Sequence, residues 1–271
     1  MPQPDRVYDG DHLRAELWVP NTAATTLYVT FRQRVPEPGS FSDDAPVRRA
    51  LNEGKAHLRI QSRWNDWFLN DETPALEAAL SALRPGFATA LALGYSMGGY
   101  GAMRLARALD LDQVVLVSPQ FTLDRAILPA EKRYPEGKDF DARLGNLANH
   151  GKPDLAGIVI FDPFRPLDRM HAALITDAMP AVARAPLPFG GHPATNALGE
   201  RGGFRALQAI SLAPSASAAG VVALHRSLRC ASPRYWLIRA EACRMAGRAN
   251  DADTAAARAG ARSVRQGPAP A

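Results

Sequence analysis

Hydrophobic and polar positions alternate along residues 13–19 and 26–31, and that period of two predicts β-strands; the second run is rich in Thr, Tyr, Val and Phe. A polar stretch containing Pro and Gly follows over 32–44, then a short helix is expected over 45–53 and a strand over 56–61. Leu76, Ala79, Leu80 and Leu83 recur at helical spacing and predict a helix over 73–83. The continuous small and apolar run 88–93 suits a strand buried on both faces. Met103, Leu105, Ala106 and Leu109 place the next helix within 98–108. Strands are expected at 114–117, 158–161 and 183–187, with helices over 168–178 and 203–211. Repeated strand-helix alternation predicts an α/β fold, a mostly parallel sheet covered on both faces.

Two segments stand outside this alternation. Residues 120–152 are charged, contain Pro and exceed what a crossover needs, so they read as an insertion, either a cap over the strand ends or a surface excursion. After a main domain over 1–212, small residues at 213–220 form a linker. It leads to helices within 221–262, where Tyr235 to Ala242, Gly247 and a run of alanines resemble one tetratricopeptide-type hairpin. One hairpin is not an array, so a helical pair docked on the main domain is the alternative, and either could serve as a protein contact. The tail 263–271 is expected to be disordered.

Composition narrows the partners. With 46% hydrophobic and 22% charged residues, the chain of 271 residues has the profile of a soluble globular protein. Its net charge of +5 is almost all arginine, scattered among acids with no basic run, which argues against nucleic acid. No apolar stretch approaches the ~20 residues of a membrane span, and the N-terminus lacks a signal-like core, so a cytoplasmic protein is expected. Cys230 and Cys243 are too few for a disulfide framework and form no metal motif. Neither metal nor cofactor is implied.

The chemistry centres on Gly94-Tyr95-Ser96-Met97-Gly98. A serine hydroxyl needs a base to take its proton and donors to hold an oxyanion. Gly-x-Ser-x-Gly between a buried strand and a helix supplies the tight turn that presents such a nucleophile. Met97 N–H, at the helix start, is the expected first oxyanion donor, and Arg32 or Gln33, after an earlier strand, the second. In the chain order nucleophile, acid, base, His192 in the turn 188–193 follows the last sheet strand and is the expected base. His150 belongs to the insertion, and His171 and His225 lie within helices. Two aspartates compete as the acid: Asp162 at a strand exit, which could merely start a turn, and Asp168 at the next helix, which could merely cap it. Its place immediately before the helix favours Asp168. Trp64-Asn65-Asp66-Trp67 should open on the side of Ser96, where Trp64, Asn65 and Tyr95 are expected to contact substrate; alternatively, the indoles tuck under their loop.

Together, Trp64 to Trp67, the Ser96 turn through Ala102, Ser118-Pro119-Gln120-Phe121 and Gly190-Gly191-His192-Pro193 resemble a bacterial family of serine hydrolases with the α/β-hydrolase fold. These include glycan-associated accessory proteins similar to O-acetyltransferases and esterases, and the likeness spans roughly residues 26 to 212. The resemblance implies a Ser-His-Asp triad acting on an ester, small or glycan-linked, by hydrolysis or acyl transfer. The His-Gly oxyanion signature of lipases is absent, since Phe31-Arg32-Gln33 stands there. A thioesterase, a peptidase and a non-catalytic interaction protein on the same fold are the alternatives.

Overall fold

The computed structural model describes residues 3–20, 23–43, 45–200 and 202–264, with side chains through 261. Its strands are β1 (Asp5–Asp9), β2 (Leu13–Trp18), β3 (Thr26–Phe31), β4 (Ala56–Ser62), β5 (Thr89–Tyr95), β6 (Gln113–Val117), β7 (Ala156–Phe161) and β8 (Val182–Pro186). They form one sheet in the order β1-β2-β4-β3-β5-β6-β7-β8, parallel from β4 to β8 and antiparallel at the β1-β2 and β2-β4 pairs. The α/β expectation is met in type and order. β1 escapes the hydrophobic pattern because Asp-Arg-Val-Tyr-Asp is an exposed edge strand whose ladder is interrupted between Arg6 and Tyr8.

The helices are α1 (Arg48–Asn52), α2 (Thr73–Leu83), α3 (Met97–Arg104), α4 (Ala142–Gly145), α5 (Leu147–His150), α6 (Pro166–Ala178), α7 (Asn196–Gly199), α8 (Gly203–Leu212), α9 (Ala218–Leu228), α10 (Pro233–Met245) and α11 (Ala249–Val264). One core places Leu76 and Leu80 of α2, Met103 of α3 and Ile175 of α6 against Leu27, Val29, Leu58 and Val159. The opposite face packs Leu207 of α8 and Val221 of α9 on Val115, Ile158 and Ala185. Sheet residues thus alternate between two apolar layers, which is why β5 and β6 carry almost no polar side chain. Helix α9 begins at Ala218, inside the expected linker, and α11 runs through Val264, two residues into the expected tail; residues 265–271 lie outside the described residues.

Parallel pairing aligns the strand ends that matter. Tyr95 faces Val117 and Val117 faces Ile160 in register, so Ser96, Ser118 and Asp162 emerge along one carboxyl edge. Loops at that edge are free to carry chemistry on a rigid frame.

At the other side of the sheet, His57 is buried and stacked on Trp18, with ring centroids 5.5 Å apart. Its Nδ1 accepts from Val47 N–H (3.3 Å), so Nε2 carries the proton and donates to Thr30 Oγ1 (2.8 Å). Burial, with the Arg59 charge adding to it, pushes its pKa down to about 3. The unfolded chain therefore binds a proton that the fold does not, and stability falls as pH drops below the ordinary histidine value. This one group should cost on the order of 3 kcal/mol by pH 4. In urea melts between pH 7 and 4, His57→Gln should flatten that decline; an unchanged slope would refute the assignment.

Candidate active site

Ser96 sits where the chain leaves β5 and turns at once into α3, with φ 48° and ψ −119°, a strained conformation for a residue with a Cβ. The flanking glycines are sterically required. A Cβ on Gly94 would lie 2.4 Å from Gly98 O, and one on Gly98 would lie 2.7 Å from Phe31 O. The turn is pinned by Ser96 N–H donating to Val117 O (2.9 Å), so neighbouring β6 holds the elbow in place.

Ser96 Oγ lies 3.4 Å from His192 Nε2, and His192 Nδ1 lies 3.0 Å from Asp168 Oδ2. Asp168 is fully buried in the first turn of α6, whereas Asp162 never reaches the imidazole. The Asp162 carboxylate instead accepts the N–H groups of Phe164 (3.0 Å), Phe189 (3.1 Å) and Gly191 (2.9 Å), tying the turn that carries His192 to the end of β7. Burial pushes the pKa of Asp162 up. Burial acts on Asp168 in the same direction, but its bond to His192 and the nearby charges outweigh it and hold that carboxyl below the usual range.

A second set of groups backs Asp168. Arg133 donates to Asp168 Oδ1 at 2.5 Å and grips Glu131 through two nitrogens, and Glu131 Oε2 lies 2.8 Å from His171 Nε2. Nδ1 of His171 accepts from Phe121 N–H (3.0 Å), so this histidine has both nitrogens engaged away from Ser96. Arg133 stands between the two carboxylates, and Arg165 approaches Asp168 Oδ2 to 3.9 Å. His225 is likewise occupied, with Nε2 on Pro188 O (3.0 Å), as is His150, with Nε2 on Arg143 O (2.9 Å).

The His192 turn is braced from three sides. Ala194 N–H donates to Ser118 Oγ (2.9 Å), Phe189 stacks on Phe164 with centroids 4.3 Å apart, and α10 seats Ile238 against Gly191. Helix α10 thus contacts the loop of the candidate base through Ile238 and Tyr235, whose ring meets Phe189 edge-on, and α11 packs on α10 through Ala255 and Ala259.

Among the expected oxyanion donors, Met97 is the first residue of α3, and its N–H has no acceptor one turn earlier in that helix. The expectation for Arg32 requires correction. Its N–H donates to Ile60 O (2.9 Å), extending the sheet by one residue, so that amide is already engaged. Gln33 follows it, exposed, in the strap that crosses beside Gly98.

The expected substrate contacts divide. Tyr95 turns to the far face of the sheet, its ring 6.5 Å from Phe204, because strand alternation sends it opposite to Ser96's neighbours. Asn65 spends both amide groups on the backbone of Val35 (2.8 and 3.0 Å) and so anchors the strap. Trp67 is buried, edge-on to Tyr134 with centroids 5.1 Å apart, while Trp64 is 44% exposed. Both indoles line a cavity of about 290 Å³ together with Leu123, Glu136, Asp139 and Asp141.

Gln120 and Tyr134 also reach the centre. Ser96 Oγ lies 3.3 Å from Gln120 Oε1, and Tyr134 Oη lies 3.3 Å from His192 Nε2. Gln120 belongs to the distinctive Ser-Pro-Gln-Phe run, a signal without a role at the sequence level, whereas nothing local marks Tyr134, Arg133 or Glu131.

No family model matches the chain, and no curated protein does. Solved structures do. A capsule O-acetyltransferase of Neisseria meningitidis serogroup A is similar with a TM-score of 0.53 at 13% identity, covering 74% of this chain and 92% of the other. Est1E from Butyrivibrio proteoclasticus has a TM-score of 0.46 at 12% identity, covering 77% of this chain and 99% of its own. XC6422 from Xanthomonas campestris, an α/β serine hydrolase without lid, has a TM-score of 0.41 at 16% identity, covering 69% and 85% respectively. With the strand order and the turn at Ser96, the chain has the α/β-hydrolase fold.

Proposed function

We propose that Ser96, His192 and Asp168 act as nucleophile, base and acid of a serine hydrolase or acyltransferase that works on an oxygen ester. The observation that carries this reading is the line from Ser96 Oγ to His192 Nε2 to Asp168 Oδ2, at 3.4 and 3.0 Å, set on a strained strand-to-helix turn. His192 takes the Ser96 proton as Oγ attacks the acyl carbon, and Asp168 holds the imidazole with Nδ1–H turned towards itself and stabilises the imidazolium. Met97 N–H supports the oxyanion. The imidazolium then protonates the departing alcohol, and water or a second hydroxyl takes the acyl group by the reverse steps.

Trp67, edge-on to Tyr134, also lines the cavity that holds the exposed Trp64 indole and four carboxylates, Asp66, Glu136, Asp139 and Asp141, and this lining favours a neutral, hydroxylated substrate such as an acetylated sugar over an anionic one. The capsule O-acetyltransferase likeness supports the same chemical class through the fold.

A fluorophosphonate probe tests the nucleophile. Wild-type protein should gain one covalent adduct, mapped by peptide mass to Ser96. An unlabelled, folded protein would sink the reading. A screen of O-acetyl sugars, simple acetates and acyl thioesters would then place the substrate.

A further inference from the structure

The hydrogen-bond directions around Ser96 can be worked out from one group. Gln120 is fully buried, and one of its amide atoms lies 3.3 Å from Ser118 O, which can only accept. That atom is therefore Nε2, and Oε1 faces Ser96. Ser96 O–H then donates to Gln120 Oε1 (3.3 Å), and Gln120 Nε2–H donates to Tyr134 Oη (3.1 Å). His192 directs Nδ1–H at Asp168, so its Nε2 is an acceptor and receives the Tyr134 hydroxyl (3.3 Å). In this arrangement the serine proton points to Gln120 rather than to its base, the 3.4 Å leg from Ser96 Oγ to His192 Nε2 carries no hydrogen, and a phenol oxygen stands on the base instead.

That position has a chemical meaning. When an ester is cleaved, the proton on Nε2 passes to the departing alcohol oxygen, which must lie within hydrogen-bond reach of Nε2. Tyr134 Oη stands within that reach. We infer that Gln120 and Tyr134 form a binding site for the alcohol oxygen of the substrate, the departing oxygen of an ester or the hydroxyl of an acyl acceptor. This rests on the proposed serine chemistry.

The incoming alcohol oxygen takes the place of Tyr134 at Nε2 and accepts the phenol hydrogen, while Gln120 Nε2–H keeps the phenol oriented. As the bond between acyl carbon and alcohol oxygen breaks, the electron pair stays on that oxygen, the phenol hydrogen bond stabilises it, and the imidazolium proton completes the alcohol. Transfer to an acceptor hydroxyl runs the same steps backwards. Tyr134 thus touches the reacting oxygen, and Gln120 is a positioning residue. Trp67 lies edge-on to the Tyr134 ring and also lines the cavity of about 290 Å³.

Leaving-group dependence provides the test. Tyr134→Phe keeps the ring contact with Trp67 and removes only the hydroxyl. On ethyl acetate, whose alkoxide needs protonation, kcat/KM should fall by roughly 10- to 100-fold. On p-nitrophenyl acetate, whose leaving group departs as an anion that needs neither the imidazolium proton nor a hydrogen bond, the loss should be smaller by at least about 3-fold. Gln120→Met should show the same selectivity more weakly. Equal losses on both esters would mean a role in the oxyanion site or in folding, and no loss on either would mean no role; each overturns the inference while fluorophosphonate labelling of Ser96 persists. A wild-type protein that turns over neither ester and takes up no probe would bring down the serine reading and this inference together.

Discussion

Ser96→Ala is expected to lower kcat on any ester the protein turns over by on the order of 10⁶-fold, with only roughly 10³- to 10⁴-fold acceleration over water remaining from binding and the oxyanion donors. The loss is large because nucleophile and base act as one unit: without Oγ, His192 has no proton to take and no covalent intermediate forms. The fold should tolerate the change. The strained φ of 48° is carried by the backbone and the glycines around it, and alanine keeps the Cβ that serine already has. A thermal melt close to wild type, together with loss of turnover and of probe labelling, is the expected pair of results. Retained turnover in a preparation free of contaminating esterase would remove Ser96 from the mechanism.

The second large effect separates the two aspartates. Asp168→Asn should cost about 10⁴-fold in kcat, since an amide favours the wrong imidazole tautomer and cannot stabilise the imidazolium. Arg133 would still be paired with Glu131, so the substitution does not leave the guanidinium without a carboxylate. Asp162→Asn should act differently. Its carboxylate accepts three backbone N–H groups and touches no reacting atom, so the expected cost is about 1–3 kcal/mol of stability, with turnover changed by less than about 10-fold. Side-by-side steady-state kinetics and urea melts would decide. A greater loss of turnover from Asp162→Asn would reverse the assignment.

The two carboxylates also mark how far a sequence can be read here. Both follow β7 within a few residues, and chain order alone leaves them level; what distinguishes them is the direction of the loop bearing His192, set by contacts with Ser118, Phe164 and Ile238. The strands and the turn at Ser96 are legible because burial imposes short-range patterns, apolar runs and required glycines. Tyr95 is misread as a substrate contact because adjacency to the serine does not put its side chain on the same face. Arg32 is misread because the length of a strand ladder depends on its partner, here Ile60. Gln120, Arg133 and Tyr134 arrive from a segment read only as an insertion, and their meeting with Asp168 and His192 is a tertiary fact with no local signature.

Ile238 gives the C-terminal hairpin a mechanical bearing on the candidate base. A chain cut after Leu228 would retain every strand, the turn at Ser96 and the Asp168 cluster, yet would lose the side chain pressed on Gly191 and the Tyr235 ring against Phe189. Such a chain should fold and still hold its imidazole less firmly. Helix α10 thus serves as a buttress, and a ligand or protein that shifts it would load the turn that carries the histidine.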